Sequence, residues 1–193
     1  MGGYYAKAAG ESDEVAEAIR DHYRPRFAGD DLPCGLAGCV VAVADKLDTI
    51  AGMFAIGEPP TGSKDPFALR RSAIGVINIL ADRLHCGYAA LVDAALDAYL
   101  EQGLSFNKPE VAQDICAFIK GRMEQIARDA KINSDTVAAV SHGTIEAPVD
   151  FFALAHALDD ARANDAETFE NLATAYARAS HLADPSLGLN VDE

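Results

Sequence analysis

Apolar residues recur at steps of three and four along almost the whole chain, the spacing of helices that each bury one stripe. Ser12 stands where an N-cap belongs, and Asp13 and Glu14 place negative charge at the positive end of the helix it opens. Val15, Ile19 and Tyr23 then fall on one stripe, and Pro25 stops the helix. After a turn-like segment at 28–33, a second helix is predicted over 36–56, with Leu36, Val40, Val43, Leu47, Ile50 and Phe54 facing inward. Two glycines and Pro59-Pro60 force 57–64 into a loop. Asp65-Pro66 reads as an N-cap followed by proline at the first helical position, where its missing N–H costs nothing. The helix that follows should carry Phe67, Ile74, Ile77 and Leu84 inward, run to about His85 and end at Gly87.

Further helices are predicted over 89–102, 109–131 with Pro109 at the start, 134–142 with Ser134 as cap, and about 148–163 from Pro148. Asp165 should cap the last, which Asp184-Pro185 terminates. Neither strand alternation nor an internal repeat interrupts this pattern, so the expected fold class is all-α. A composition shift at 143–148 separates residues 1–145 from 146–193, where an Ala-rich, acidic pair of helices reads as a hairpin (148–163 against 165–183) leading into another helical module. The abrupt start Met1-Gly2-Gly3-Tyr4-Tyr5-Ala6 and the loose final residues read as cuts from a longer chain.

Composition narrows the function classes. Half of the 193 residues are hydrophobic, ample for a packed core. The longest apolar run, 39–44, is far short of the roughly 20 residues a membrane span needs. No signal-peptide pattern opens the chain, so a soluble, cytoplasmic protein is expected. Thirty acidic and 16 basic residues give a formal charge of −14, opposite to that of most free-standing nucleic-acid binders. Contact with RNA would therefore need a local basic patch, with a larger assembly supplying most of the affinity. Cys34, Cys39, Cys86 and Cys116 form no CxxC pair and have no histidine at zinc-finger spacing, so reduced, mostly buried thiols are expected rather than a metal site.

Three features carry candidate chemistry. Asp45 and Asp48, three apart on the second helix, share a face and are either solvated surface or the edge of a cleft that holds a metal or a cationic partner. Ala44-Asp45-Lys46-Leu47-Asp48 is similar to the segment bearing the last aspartate of HD-type metal phosphohydrolases, whose site also needs a histidine and a His-Asp pair. This chain has no His-Asp dipeptide, and His22 reads as a helix-face residue. The loop from Pro59 to Pro66 resembles a piece of a phosphate-cradling loop in Gly62-Ser63-Lys64, yet the P-loop spacing is absent and Pro66 removes a cradling N–H. What remains is a stiff loop that presents Lys64 ahead of Arg70 and Arg71. This positive concentration either meets a phosphate backbone or acidic partner, or is absorbed by neighbouring carboxylates. No catalytic triad or nucleophile elbow is visible.

The run from Ala44 through Asp45-Lys46-Leu47-Asp48-Thr49-Ile50-Ala51-Gly52-Met53-Phe54-Ala55-Ile56-Gly57, continued by Pro60-Thr61-Gly62-Ser63-Lys64-Asp65-Pro66-Phe67-Ala68-Leu69-Arg70-Arg71, resembles the signature stretch of the bacterial glycyl-tRNA synthetase β subunit. Residues 1–6 and 15–25 are similar to the preceding segments of that family in the same order, so the resemblance is specific over 1–84 and agrees in helical pattern over 85–193. It implies a piece of the β subunit of a heterotetrameric glycine–tRNA ligase that supports recognition and ATP-dependent glycylation of tRNA(Gly), inactive when isolated. Residues 1–145 would be the later part of an HD-like helical domain, and 146–193 would lead into an anticodon-binding-type domain. Asp45 and Asp48 would be vestigial HD-type positions, with no catalytic residue and no metal ligand in this piece. The α subunit of the family uses ATP and Mg, so no cofactor is expected here. The implied partners are that α subunit and tRNA(Gly), with no membrane, and Lys64, Arg70 and Arg71 are the candidate contacts. The alternatives are an HD-type phosphohydrolase and a helical protein-interaction module.

Overall fold

The longest apolar segment of the first sixty residues becomes the axis of the fold. Leu36–Ala55 (α3) buries Cys39, Ala42, Val43, Leu47, Ile50 and Ala51 along one face. The computed structural model describes residues 1–27 and 29–182, with the backbone alone at 181 and 182. Around α3 stand Gly2–Ala8 (α1), Asp13–Asp21 (α2), Leu69–Ile79 (α4), Ala89–Glu101 (α5), Lys108–Asp129 (α6) and Ser134–Ser141 (α7). Pro148–Asn164 (α8) and Ala166–Leu182 (α9) complete the elements. The fold is all-α, and the described residues include no strand.

The chain divides into two units, Met1–Ala155 and His156–Glu193. In the first, α3 packs against α2, α4, α5 and α6, and α6 carries α7. Leu69, Val76, Ile77, Leu80, Leu96, Ile115, Ile119 and Met123 are all buried in its core. Full burial of each such side chain stabilises the fold by about 1.5–3 kcal/mol. Phe151 and Ala155 of α8 are buried as well. In the second unit, residues 166–180 are exposed apart from half-buried Phe169, and the Asp165 carboxylate accepts the Thr168 N–H at 3.1 Å as the expected cap. Asp184-Pro185 lies outside the described residues.

Several expectations are corrected. Residues 2–8 form a helix that no apolar stripe announced. Val15, Ile19 and Tyr23 are 39%, 38% and 65% exposed, because α2 buries the small residues Ala16 and Ala18 instead. Close approach explains the choice: a Cβ on Gly38 would stand 3.7 Å from the Ala18 Cα, so small side chains let α2 and α3 come together. For the same reason the first turns of α3 bury Gly38, Cys39 and Ala42, and leave Leu36 and Val40 exposed. Cys34 and Cys86 are exposed, so the four thiols are not mostly buried.

The α4 helix begins at Leu69, later than Asp65-Pro66 suggested, and Phe67 is exposed. Ala68 adopts a left-handed conformation (φ 56°) that breaks the backbone just before the helix. Its last turn widens to a π-helix over Leu80–Leu84, where His85 at φ 51° ends it, two residues before Gly87. Asn133 rather than Ser134 caps α7, through its side-chain oxygen and the Asp135 N–H.

Candidate nucleic-acid interface

Between α3 and α4 the chain makes an exposed loop over 57–64. Gly57 (φ 80°) ends the helical path, and Thr61 and Lys64 exchange two backbone hydrogen bonds of 3.1 and 2.7 Å. That closure puts Gly62 at φ 48°, which glycine adopts at little cost, and leaves Lys64 exposed. The Asp65 carboxylate accepts the Leu69 N–H at 2.7 Å and the Arg70 N–H at 3.0 Å. It therefore caps α4 from four residues before the helix and adds negative charge at its positive end.

The three candidate cations differ in role. Arg70 turns back and donates to the Gly62 carbonyl at 2.8 Å, with its guanidinium 3.9 Å from the Asp65 carboxylate. It is a strut that holds the loop against the helix. Lys64 and Arg71 are exposed, and neither makes an ion pair within 4 Å among the described residues. Both retain donors for a partner.

Asp45 and Asp48 diverge. Asp48 borders an apolar groove lined by Val40, Val43, Leu47, Leu84 and Leu91, while its backbone carbonyl accepts the Tyr99 hydroxyl at 3.1 Å. Asp45 lines a cleft of about 470 Å³ with Tyr23, Arg26, Lys46, Arg71 and Ser72. The structure thus joins Asp45 to Arg71 and separates it from Asp48. Among the described residues no three His, Cys, Asp or Glu side chains converge as metal ligands. The donors around Asp45 are cationic, an arrangement that does not fit a divalent ion at this position. His22 caps the end of α2, where its Nδ1 donates to the Ile19 carbonyl at 2.8 Å.

Lys46 went unrecognised in the sequence. It is 6% exposed, and its Nζ donates to the His22 carbonyl at 3.1 Å. Burial pushes its ammonium below the ordinary lysine range, with the Asp45 charge opposing. The signal was present: steps of three and four through Cys39, Val43, Lys46 and Ile50 place position 46 on the buried stripe.

Among the described residues the elements are helical, Lys64 is exposed on the loop between α3 and α4, and Arg26 and Arg71 line the cleft beside Asp45. The family profile for "Glycyl-tRNA synthetase beta subunit" matches residues 1–142. The glycine–tRNA ligase beta subunit of Clostridioides difficile (strain 630) is 45% identical over 194 aligned residues, which take in 100% of this chain and 28% of the relative. That of Cronobacter sakazakii (strain ATCC BAA-894) is 42% identical over 166 residues, 86% of this chain and 24% of the relative. That of Escherichia coli (strain K12 / DH10B) is 40% identical over 183 residues, 94% of this chain and 26% of the relative. The chain belongs to the glycyl-tRNA synthetase β-subunit family, and the likeness continues well past residue 84. It spans about a quarter of the length of these relatives. Among the described residues no helix is long and apolar enough to cross a membrane.

Proposed function

We propose that the chain works as part of a longer β subunit, in complex with an α subunit, to support ATP-dependent glycylation of tRNA(Gly) in the cytoplasm. Its own role is to position RNA. ATP and Mg act on the α subunit, and this piece holds no cofactor. Residues 1–145 are the later part of an HD-like helical domain without the hydrolytic site. The observation that carries this reading is the 45% identity along the whole chain to a glycine–tRNA ligase beta subunit. The geometry of the loop supports it, because Arg70 and Asp65 brace a turn on which Lys64 is the exposed basic residue. A basic side chain held on a rigid turn meets a phosphate with little ordering cost. The chain's charge of −14 makes such a contact local, so it orients RNA that other surfaces bind.

The test is Lys64→Glu with Arg71→Glu in the full-length β subunit, assembled with its α subunit. Glycine activation by ATP should be unchanged, while the KM for tRNA rises. The slope of log affinity against log salt should become shallower by about 2, one for each phosphate contact removed. Unchanged charging and salt dependence would remove this loop and helix edge from the RNA path.

A further inference from the structure

The cleft beside α3 holds an arrangement that scaffolding alone does not explain. The Lys46 stem crosses α4 at Gly75, where an added Cβ would stand 2.9 Å from the Lys46 Cε, 3.1 Å from its Cδ and 3.4 Å from the Pro25 Cδ. The absence of a side chain at Gly75 opens the channel through which Lys46 reaches the cleft. Its ammonium has three donors and satisfies one of them on a neutral carbonyl, that of His22. Among the described residues no carboxylate lies within 4 Å of Lys46 Nζ. A buried ammonium with spare donors is costly unless an anion completes it.

The other walls supply the complement. Arg71 makes no ion pair within 4 Å among the described residues, and it lines both this cleft and the adjoining one formed with Phe27, Ile74 and Asn78. Ser72 adds a hydroxyl and Tyr23 an exposed ring with a phenol. Arg26 is held by the Asp30 carboxylate, with its Nε 2.8 Å away, and contributes field rather than free donors. Asp45 is the opposing charge on the wall.

We infer that the cleft between the end of α2, α3 and the start of α4 is a binding site for one phosphate group, held by Lys46 and Arg71 with Ser72 at its side. A free phosphate ester and the terminal phosphate of an RNA strand share this chemistry, and the volume of about 470 Å³ admits the phosphate with the group that carries it. The site goes beyond the proposed role in tRNA charging and does not depend on it.

The 193-residue chain, isotopically labelled for amide NMR, is titrated with inorganic phosphate, with adenosine 5′-monophosphate, and with a short RNA carrying or lacking a 5′-phosphate. Saturable shifts should appear at Lys46 and at Ala68 to Ser72. Arg71→Gln, an exposed change that leaves the core intact, and Lys46→Met should each weaken binding by about tenfold or more, as loss of a charge-assisted hydrogen bond requires. Lys7→Gln on α1 should leave it unchanged. Asp45→Asn should tighten binding, whereas a cation site would be weakened by the same substitution. Binding of adenosine 5′-monophosphate equal to that of the phosphorylated RNA assigns the phosphate itself as ligand, and binding of the phosphorylated RNA alone assigns an RNA end. Absence of saturable shifts with every probe, or binding that survives both Arg71→Gln and Lys46→Met, would overturn the site. Failure of the glycylation test would leave it standing.

Discussion

Replacing Asp65 by alanine removes one carboxylate that does three things at once. It accepts the first two amide protons of α4, at 2.7 and 3.0 Å, it faces the positive end of the helix, and it stands 3.9 Å from the Arg70 guanidinium. Loss of an N-cap costs about 1 kcal/mol, and loss of the charge near the helix end a further ~0.3–1 kcal/mol. The ion pair adds little, because Arg70 is partly solvated and its Nη1 lies at the limit of contact. The sum is about 2 kcal/mol, or a melting temperature lower by roughly 4–8 °C for a chain of this size. Asp65→Asn keeps one acceptor oxygen and should lose about half as much. Urea denaturation followed by far-ultraviolet circular dichroism measures both. The Ala variant should also free Arg70 from Gly62 and speed proteolysis of the loop at 57–68. An Ala variant within about 0.5 kcal/mol of the parent would show that the loop carboxylate does not hold the start of α4.

Three other outcomes follow from the packing and the charges. The Asp21 carboxylate is buried, and its hydrogen-bonded pair with Arg20 at 2.9 Å, helped by Arg24, holds it below the ordinary range despite desolvation. Its contribution is therefore present at neutral pH and lost as pH falls below about 4, so Asp21→Asn should flatten the acid limb of stability and cost about 1–2 kcal/mol at neutral pH. Cys34 and Cys86 should react with a thiol reagent first, since they are exposed, while burial raises the Cys39 and Cys116 thiols and slows them; equal rates at all four would contradict the burial pattern. Met123→Ala on α6, fully buried against the central helices, should cost about 2–5 kcal/mol in the same urea assay.

Helix positions were legible where a residue acts on its nearest neighbours. Ser12, Pro109, Pro148 and Asp165 each open a helix by local backbone chemistry, and each does so in the structure. Faces were less legible wherever two helices come very close. There Ala16, Ala18, Gly38 and Ala42 are buried because they are small, and the larger Val15, Ile19, Leu36 and Val40 are left outside, a preference that periodicity does not contain. The start of α4 was misplaced because Asp65 caps across four residues and Ala68 takes a left-handed turn, and neither follows from composition. In the candidate interface, Lys64 and Arg71 could be named from the sequence. That Arg70 braces the loop depends on the turn bringing the Gly62 carbonyl back to the helix, and only the fold shows it. Lys46 was overlooked because lysine is rarely buried, although its register put it on the inner stripe.

The most direct measurement places a photoreactive amino acid at position 64 of the full-length β subunit, and irradiates the complete two-subunit enzyme with its tRNA. Position 64 should crosslink to tRNA, while a probe at Ala98 on α5 should not. A position 64 that captures no RNA in an enzyme still able to charge tRNA would contradict the view that this braced loop is an RNA-facing tip.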